Sequence, residues 1–318
     1  MNIHEDRKLF SEAIHAASET LGIHPVFVEK DYWITRSLRL MAESPYAQMA
    51  IFKGGTSLSK AYRTGNRFSE DIDIAILGAA DMNGNQTKTI MKKIAKQMSS
   101  GLEEIDAPRV TSKGSRYYKA AYSYPRPQGI KSPGAIGAGR LLVEINTFAN
   151  PYPFERKSVD CFIYRFLSGI GEQALIEKHS LTPFIVNVLD KRQTLTEKVA
   201  SLIRFSLSQH CIHDLASKIR HFYDIFYLLQ DDECAKYLQS GQFSADLHAL
   251  LEHDRASMDN PAGWNEKQLG TSPLLTDFPT LRDKLKRTYT KELSQVAYSS
   301  VPGETDVARR FAEVVKRI

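Results

Sequence analysis

Two acidic residues one position apart, Asp71 and Asp73 in "DIDIAIL", follow a glycine turn that ends in a lysine, "GGTSLSK" at residues 54–60. If the acidic segment is a strand, its side chains alternate between faces, so both carboxylates point the same way. Two such carboxylates repel each other unless a cation lies between them. Mg²⁺ suits the position, because it takes oxygen ligands and leaves sites for water and substrate phosphates. Glu144, the acid within the apolar run "LLVEINTF", is the candidate for a third ligand beside Asp71 and Asp73.

The turn supplies the complementary half. Gly54 and Gly55 let backbone approach a phosphate closely. Thr56 and Ser57 stand at a helix start, where free N–H groups and the dipole favour an anion. Lys60 lies one turn further on, in reach of the same phosphates, and Arg67 and Ser69 precede the aspartates, where they add contacts to a triphosphate. The chemistry implied is in-line attack on the α-phosphate of a nucleoside triphosphate. One metal lowers the pKa of the attacking hydroxyl and another steadies the leaving pyrophosphate. The protein then contributes position and charge. A lone D-x-D is common in charged strands. Turn, lysine, basic residue and D-x-D in one strand–turn–helix–strand stretch are far more specific. The stretch is not a P-loop, since the order G-x-x-x-x-G-K-[ST] is absent.

The elements that must hold these groups follow from periodicity. Residues 5–20 predict an amphipathic helix ended by Gly22, and Pro25 opens a second, "VFVEKDYWITRSLRLM". "MAIFK" (49–53) predicts a buried strand, "TSLSKAY" a helix start and "DIDIAIL" a strand with one polar face. "QTKTIMKKIAKQMSSGL" predicts a helix with a basic flank. "RYYKAAYSY" and "GRLLVEINTF" predict strands, joined by the Pro/Gly-rich loop "PRPQGIKSPGAIGAG". "VDCFIY" reads as a further strand, after which helical periodicity dominates, notably in "LTEKVASLIRFSL" and "LASKIRHFYDIFYLL". The expectation is an α+β chain: a mixed-sheet core with N-terminal helices in residues 1–165, and a helical C-terminal domain in residues 166–318.

Composition bounds the rest. The 318 residues are 42% hydrophobic and 25% charged, ordinary for a globular chain. No apolar run nears the roughly 18 residues of a membrane span, and the N-terminus lacks the apolar core of a signal peptide, so a cytoplasmic location with no membrane partner is expected. Cys161, Cys211 and Cys234 are widely spaced, without metal-ligand spacing, and read as incidental thiols. The net charge of +5 is mild. Its distribution is less so: Ala107 to Val143 carries Arg109, Lys113, Arg116, Lys119, Arg126, Lys131 and Arg140 and no acid, with Tyr117, Tyr118, Tyr122 and Tyr124 among them. Such a stretch could track a phosphate backbone and stack a base, or form a solvated hairpin with its tyrosines in the core.

The stretch "FKGGTSLSKAY…RFSEDIDIAI" resembles the AbiEii family of nucleotidyltransferase-like toxins, which includes the MenT toxins of type IV toxin–antitoxin systems, within the nucleotidyltransferase β superfamily. "VEKDYW" (28–33) is similar to the family's N-terminal helix. "LTEKVASLIR" (195–204) is similar to its third motif and "KIRHFYDIFYLL" (218–229) to its fourth. His221 stands where many members carry an aspartate. The resemblance implies a nucleotidyltransferase fold and gives Lys198 and Asp224 places in the catalytic set. Lys198 would help with triphosphate or acceptor, and Asp224 would orient Lys198, contact the nucleotide or form a structural ion pair. For Glu29, Lys30 and Asp31 a salt-bridging role is expected, and for Tyr32 and Trp33 core packing. The resemblance further implies a Mg²⁺-dependent enzyme that moves a nucleoside monophosphate from an NTP to an acceptor. In some relatives that acceptor is the 3′ end of tRNA, and the cognate antitoxin acts without a stable complex. The rival readings are transfer to a protein or small-molecule hydroxyl, and a nucleotide-binding regulator without catalysis.

Overall fold

The structure, a computed structural model, describes residues 1–107, 110–127, 129–130 and 139–318. Arg109, Lys131 and most of the Pro/Gly-rich loop lie outside the described residues. Two compact units are present, one formed by Met1–Arg63 with Phe68–Leu189, the other by Thr64–Arg67 with Asp190–Ile318. The boundary drawn at residues 165/166 falls inside a helix of the first unit, because strands on both sides of that helix belong to one sheet.

In the first unit, helices α1 (Arg7–Leu21) and α2 (Pro25–Ala42) precede β1 (Ala50–Lys53). Asp6 caps α1, accepting from the N–H groups of Lys8 and Leu9, and Gly22 ends it in the left-handed region. A short helix α3 (Gly54–Ser57) continues as a π-helical turn, Leu58–Tyr62, before β2 (Asp71–Ile76). Helix α4 (Gly84–Met98), opened by an Asn83/Gln86 capping box, leads to β3 (Glu103–Ile105), β4 (Ser112–Lys113), β5 (Tyr117–Ser123), β6 (Arg140–Asn146) and β7 (Phe154–Val159). Helices α5 (Phe162–Gly169) and α6 (Gln173–Lys178) precede β8 (Phe184–Leu189).

The strands form one mixed sheet in the order β3-β5-β6-β2-β1-β8-β7, with β4 beside β5. The β2/β6 and β1/β8 pairs are parallel and the others antiparallel. One expectation needs correction. "VDCFIY" is not a strand: Val159 ends β7, the Cys161 sulfur accepts from the Tyr164 N–H, and α5 begins at Phe162. Strand β7 carried no clear signal, because it lies at the sheet edge, where solvent admits "FERKSV".

One sheet face, with Ile72, Ile74, Tyr118, Ala120, Val143 and Ile145 buried, is covered by α2 and α4. Helix α2 is buried on nearly every side, which forces its charges to pair. Lys30 Nζ lies 2.7 Å from Glu70, Arg126 Nε 3.2 Å from Glu29, and Asp31 accepts from Lys60 Nζ and, at 2.8 Å, from the Phe162 N–H. Trp33 and Tyr32 are core residues, Trp33 stacked on Tyr124 with ring centroids 5.3 Å apart.

The second unit is helical. Helix α7 (Lys191–Ser206) is central, packed by α8 (Cys211–Ser217), α9 (Arg220–Leu228), α10 (Asp232–Gln239), α11 (Gly241–Ser257) and α12 (Pro273–Thr276). Helices α13 (Phe278–Val296) and α14 (Glu304–Val315) pack on α9, where Phe222 meets Phe311 edge-on at 4.8 Å between centroids. Among the described residues no helix is long and apolar enough to cross a membrane.

Candidate active site

The sheet face opposite α2 and α4 carries a polar row across four strands. Asp73 on β2 is in register with Lys53 on β1 and Glu144 on β6, and Glu144 is in register with Lys119 on β5. Asp71 lies two residues before Asp73 on the same face, level with Leu142 and Ala121. Small apolar clusters flank the row: Ile51, Ala75 and Leu189 on one side, Ala107, Ala121 and Leu142 on the other. Strand pleating thus delivers three carboxylates and two lysines to one strip.

The strip is electrostatically loaded. Burial pushes the Asp73 carboxyl well above its ordinary value, with the nearby charges of Glu144 and Asp71 adding to the effect. Burial also raises Asp71, with Lys119 opposing and Glu144 and Glu70 reinforcing the rise. Lys119 Nζ donates to Glu144 at 2.8 Å, and the Tyr117 hydroxyl bonds the same carboxylate. Among the described residues no three His, Cys, Asp or Glu side chains form a ready metal cage. Asp71 and Asp73 nonetheless fit a divalent cation. They are oxygen donors on one face, each disfavoured as a bare charge, and added positive charge would relieve both.

The glycine turn is built around Asp73. Gly54 has φ +79°, and a Cβ there would fall on Asp73 Oδ2. The absent side chain is therefore the space the carboxylate occupies. The Thr56 hydroxyl donates to the Asp71 carbonyl and ties the turn to β2, while the Ser57 hydroxyl donates to the Gly54 carbonyl at 2.9 Å and braces the turn itself. Gly54→Ala is expected to displace the Asp73 carboxylate and reduce nucleotidyl transfer about 10–100-fold with modest loss of stability. Side-by-side transfer assays and thermal melts check this. Gly55 and Ser69 are half-buried.

The structure gives Lys60 another partner than the phosphates expected for it. It is 5% exposed, and its Nζ is bonded to Asp31. The π-helical turn that carries Lys60 is thereby anchored to α2. Lys53, Lys119 and Tyr117, in contrast, belong to the strip. The sequence signal for Lys119 was its two-residue offset from Tyr117, but without the strand register it read only as part of a basic stretch.

In the second unit Arg67, expected at the triphosphate, is buried and holds Asp224 with two hydrogen bonds, Nε to Oδ1 at 2.7 Å and Nη2 to Oδ2 at 2.6 Å. Lys198 Nζ reaches Asp224 Oδ2 at 2.7 Å. Burial alone would raise the Asp224 carboxyl, but Arg67 and Lys198 overcome it and hold the group well below the carboxylate range. His221 is half-buried. Burial, then Lys198 and Lys218, keep its imidazole neutral well below its ordinary pKa.

A mixed sheet with one helix-covered face, a glycine turn at the end of an interior strand and paired aspartates on the adjoining strand is the architecture of a nucleotidyltransferase. The family described as "Nucleotidyl transferase AbiEii toxin, Type IV TA system" matches residues 36–317. The chain belongs to this family and is a nucleotidyltransferase of the type IV toxin–antitoxin class. Among solved structures it is similar to MenT4, the nucleotidyltransferase toxin from Mycobacterium tuberculosis H37Rv, with a TM-score of 0.50 and 15% identity over 95% of this chain and 85% of that one. At that identity the likeness concerns the fold. Comparison with curated proteins gives no match.

Proposed function

We propose that the chain transfers a nucleoside monophosphate from an NTP to the 3′ end of tRNA in a Mg²⁺-dependent reaction, and so inhibits translation and growth. The observation that carries the reading is the side-by-side placement of Asp71 and Asp73, with Asp73 seated in the space left by Gly54. Asp71 and Asp73 are the ligands for the divalent cation, and Glu144, in register with Asp73, is the third carboxylate of the row. Bound there, the cation would lower the pKa of the attacking hydroxyl and neutralise charge on the triphosphate.

The chain's own residues do the rest. Gly54 leaves room for the Asp73 carboxylate, and phosphate approach falls to the backbone at Gly55 and the start of the following helix, with Thr56 and Ser57 holding that backbone in shape. Lys53 and Lys119 place positive charge along the strip, where the triphosphate's charge must be met. Glu144, in register with Asp73, puts a carboxylate near the cation site for the acceptor hydroxyl proton. Lys60 fixes the turn through Asp31. Lys198, Asp224 and Arg67 act as a positioning network within the second unit, where Asp224 holds both cations in place. The antitoxin counters the activity without forming a stable complex.

The test is incubation of the protein with Mg²⁺, total tRNA and each NTP in turn, radiolabelled at the α-phosphate, followed by a denaturing gel. Label on tRNA with one preferred NTP is expected, and its loss on chelation of the metal. Label on protein or a small molecule instead would overturn the tRNA reading. Pyrophosphate release with no acceptor of any class would count against transfer itself.

A further inference from the structure

Helix α4 carries an uncompensated basic ridge. Lys88, Lys92 and Lys96 recur every fourth residue and Lys93 lies beside them; all four are exposed. The helix contains no acid, and among the described residues none of the four has an ion-pair partner. Like charges at i,i+4 destabilise a helix, so folding alone gives no reason for the row. The buried face of α4 (Thr87, Met91, Ile94, Ala95 and Met98) packs on β5 and β6, which leaves the lysines on its outer side.

The ridge continues toward the carboxylate strip. Thr87 Oγ1 donates to the Ser115 carbonyl at 2.7 Å, which ties the first turn of α4 to the residue before Arg116. Arg116 is exposed and immediately precedes β5. Along β5 alternate residues face opposite ways. Tyr118 and Tyr122 lie under α4, with the Tyr122 hydroxyl bonded at Ser99, while Lys119 faces Glu144. A basic path thus runs from α4, past Arg116, to Lys119 in the site. Lys113 is excluded from it by its pairing with Glu104 at 2.5 Å.

We propose that this ridge binds the phosphate backbone of the RNA acceptor and guides its 3′ end around the β4–β5 edge to the Asp71/Asp73 face. Successive ridge lysines are about 6 Å apart along the axis, from four residues at about 1.5 Å rise, close to the spacing of neighbouring phosphates on an RNA strand. Flexible ammonium groups on a helix hold phosphates without reading bases. The inference rests on tRNA being the acceptor.

The experiment compares the full chain with the triple variant Lys88→Ala, Lys92→Ala, Lys96→Ala and with the triple Lys→Arg variant. It measures tRNA binding across a salt series and NTP binding in parallel. The Ala variant is expected to bind tRNA about 10–100-fold more weakly and to lose about 2–3 from the log–log salt slope, the share of three phosphate contacts. The Arg variant should keep both affinity and slope, and all three proteins should bind NTP equally. If wild type labels tRNA and the Ala variant shows the same affinity and slope, the ridge is overturned while the proposed reaction stands. If wild type neither binds nor labels tRNA, the ridge and the tRNA reading fall together.

Discussion

Asp73→Asn is expected to reduce nucleotidyl transfer at least about 100–1000-fold while raising the melting temperature of the metal-free protein. The two effects share one cause. Burial and the charges of Glu144 and Asp71 push the Asp73 carboxyl well above its ordinary value, so the folded chain pays for holding it ionised. Asparagine keeps the shape and removes the charge. It also removes the anionic oxygen that a cation needs, and loss of one group that meets transition-state charge costs on the scale given. The sign of the pH dependence follows. Between the unfolded value near 3.8 and the raised folded value, the folded state binds the extra proton, so stability falls as pH rises through that window. The Asn variant should lack this fall, melting about 2–4 °C higher at neutral pH for each kcal/mol relieved. Calorimetry across pH, with radiolabel transfer on the same samples, decides it. A variant that melts lower at every pH and transfers normally would refute the role given to Asp73.

Asp224→Asn is expected to be the most destabilising single change in the helical unit, by about 3–5 kcal/mol. Asp224 answers two buried cations, Arg67 through a bidentate pair and Lys198 through one short bond. Removing the anion leaves both uncompensated. The pH sign is opposite to that of Asp73. The folded pKa of Asp224 is depressed, so its contribution is complete above the unfolded value near 3.8 and is lost as pH falls toward the folded one, where only the unfolded state takes up the proton. Urea titrations of wild type and variant at neutral pH and near pH 3 should therefore show the difference beginning to narrow at the acid end, while remaining substantial there. A neutral-pH difference below about 1 kcal/mol would reduce the network to an incidental contact. Lys198→Met tests the same network from the cation side. One cation fewer leaves Arg67 and Asp224 paired, so the loss should be smaller than for Asp224→Asn.

Much of the site was legible in residue types alone. The period-two spacing of Asp71 and Asp73 can only put both carboxylates on one strand face, and two glycines before a helix start are what a close backbone approach requires. Burying three consecutive charges in "EKD" on α2 makes no physical sense without partners, so their pairing was foreseeable, though not with whom. What the linear order could not contain was register and enclosure. Lys119 became part of the site because β5 pairs with β6 at Glu144, a match set between residues 25 positions apart. Lys60 and Arg67 each lie close to the glycine turn in sequence, and each went to a buried carboxylate, Asp31 and Asp224. Cationic side chains in a dry interior are held by the nearest anion, and which anion is nearest depends on folds of the chain far away in sequence. The sequence by itself determined the chemistry this protein carries. Only the tertiary structure decided which of its charges face the substrate strip and which hold the scaffold together, because burial makes unpaired charge too costly to leave either choice open.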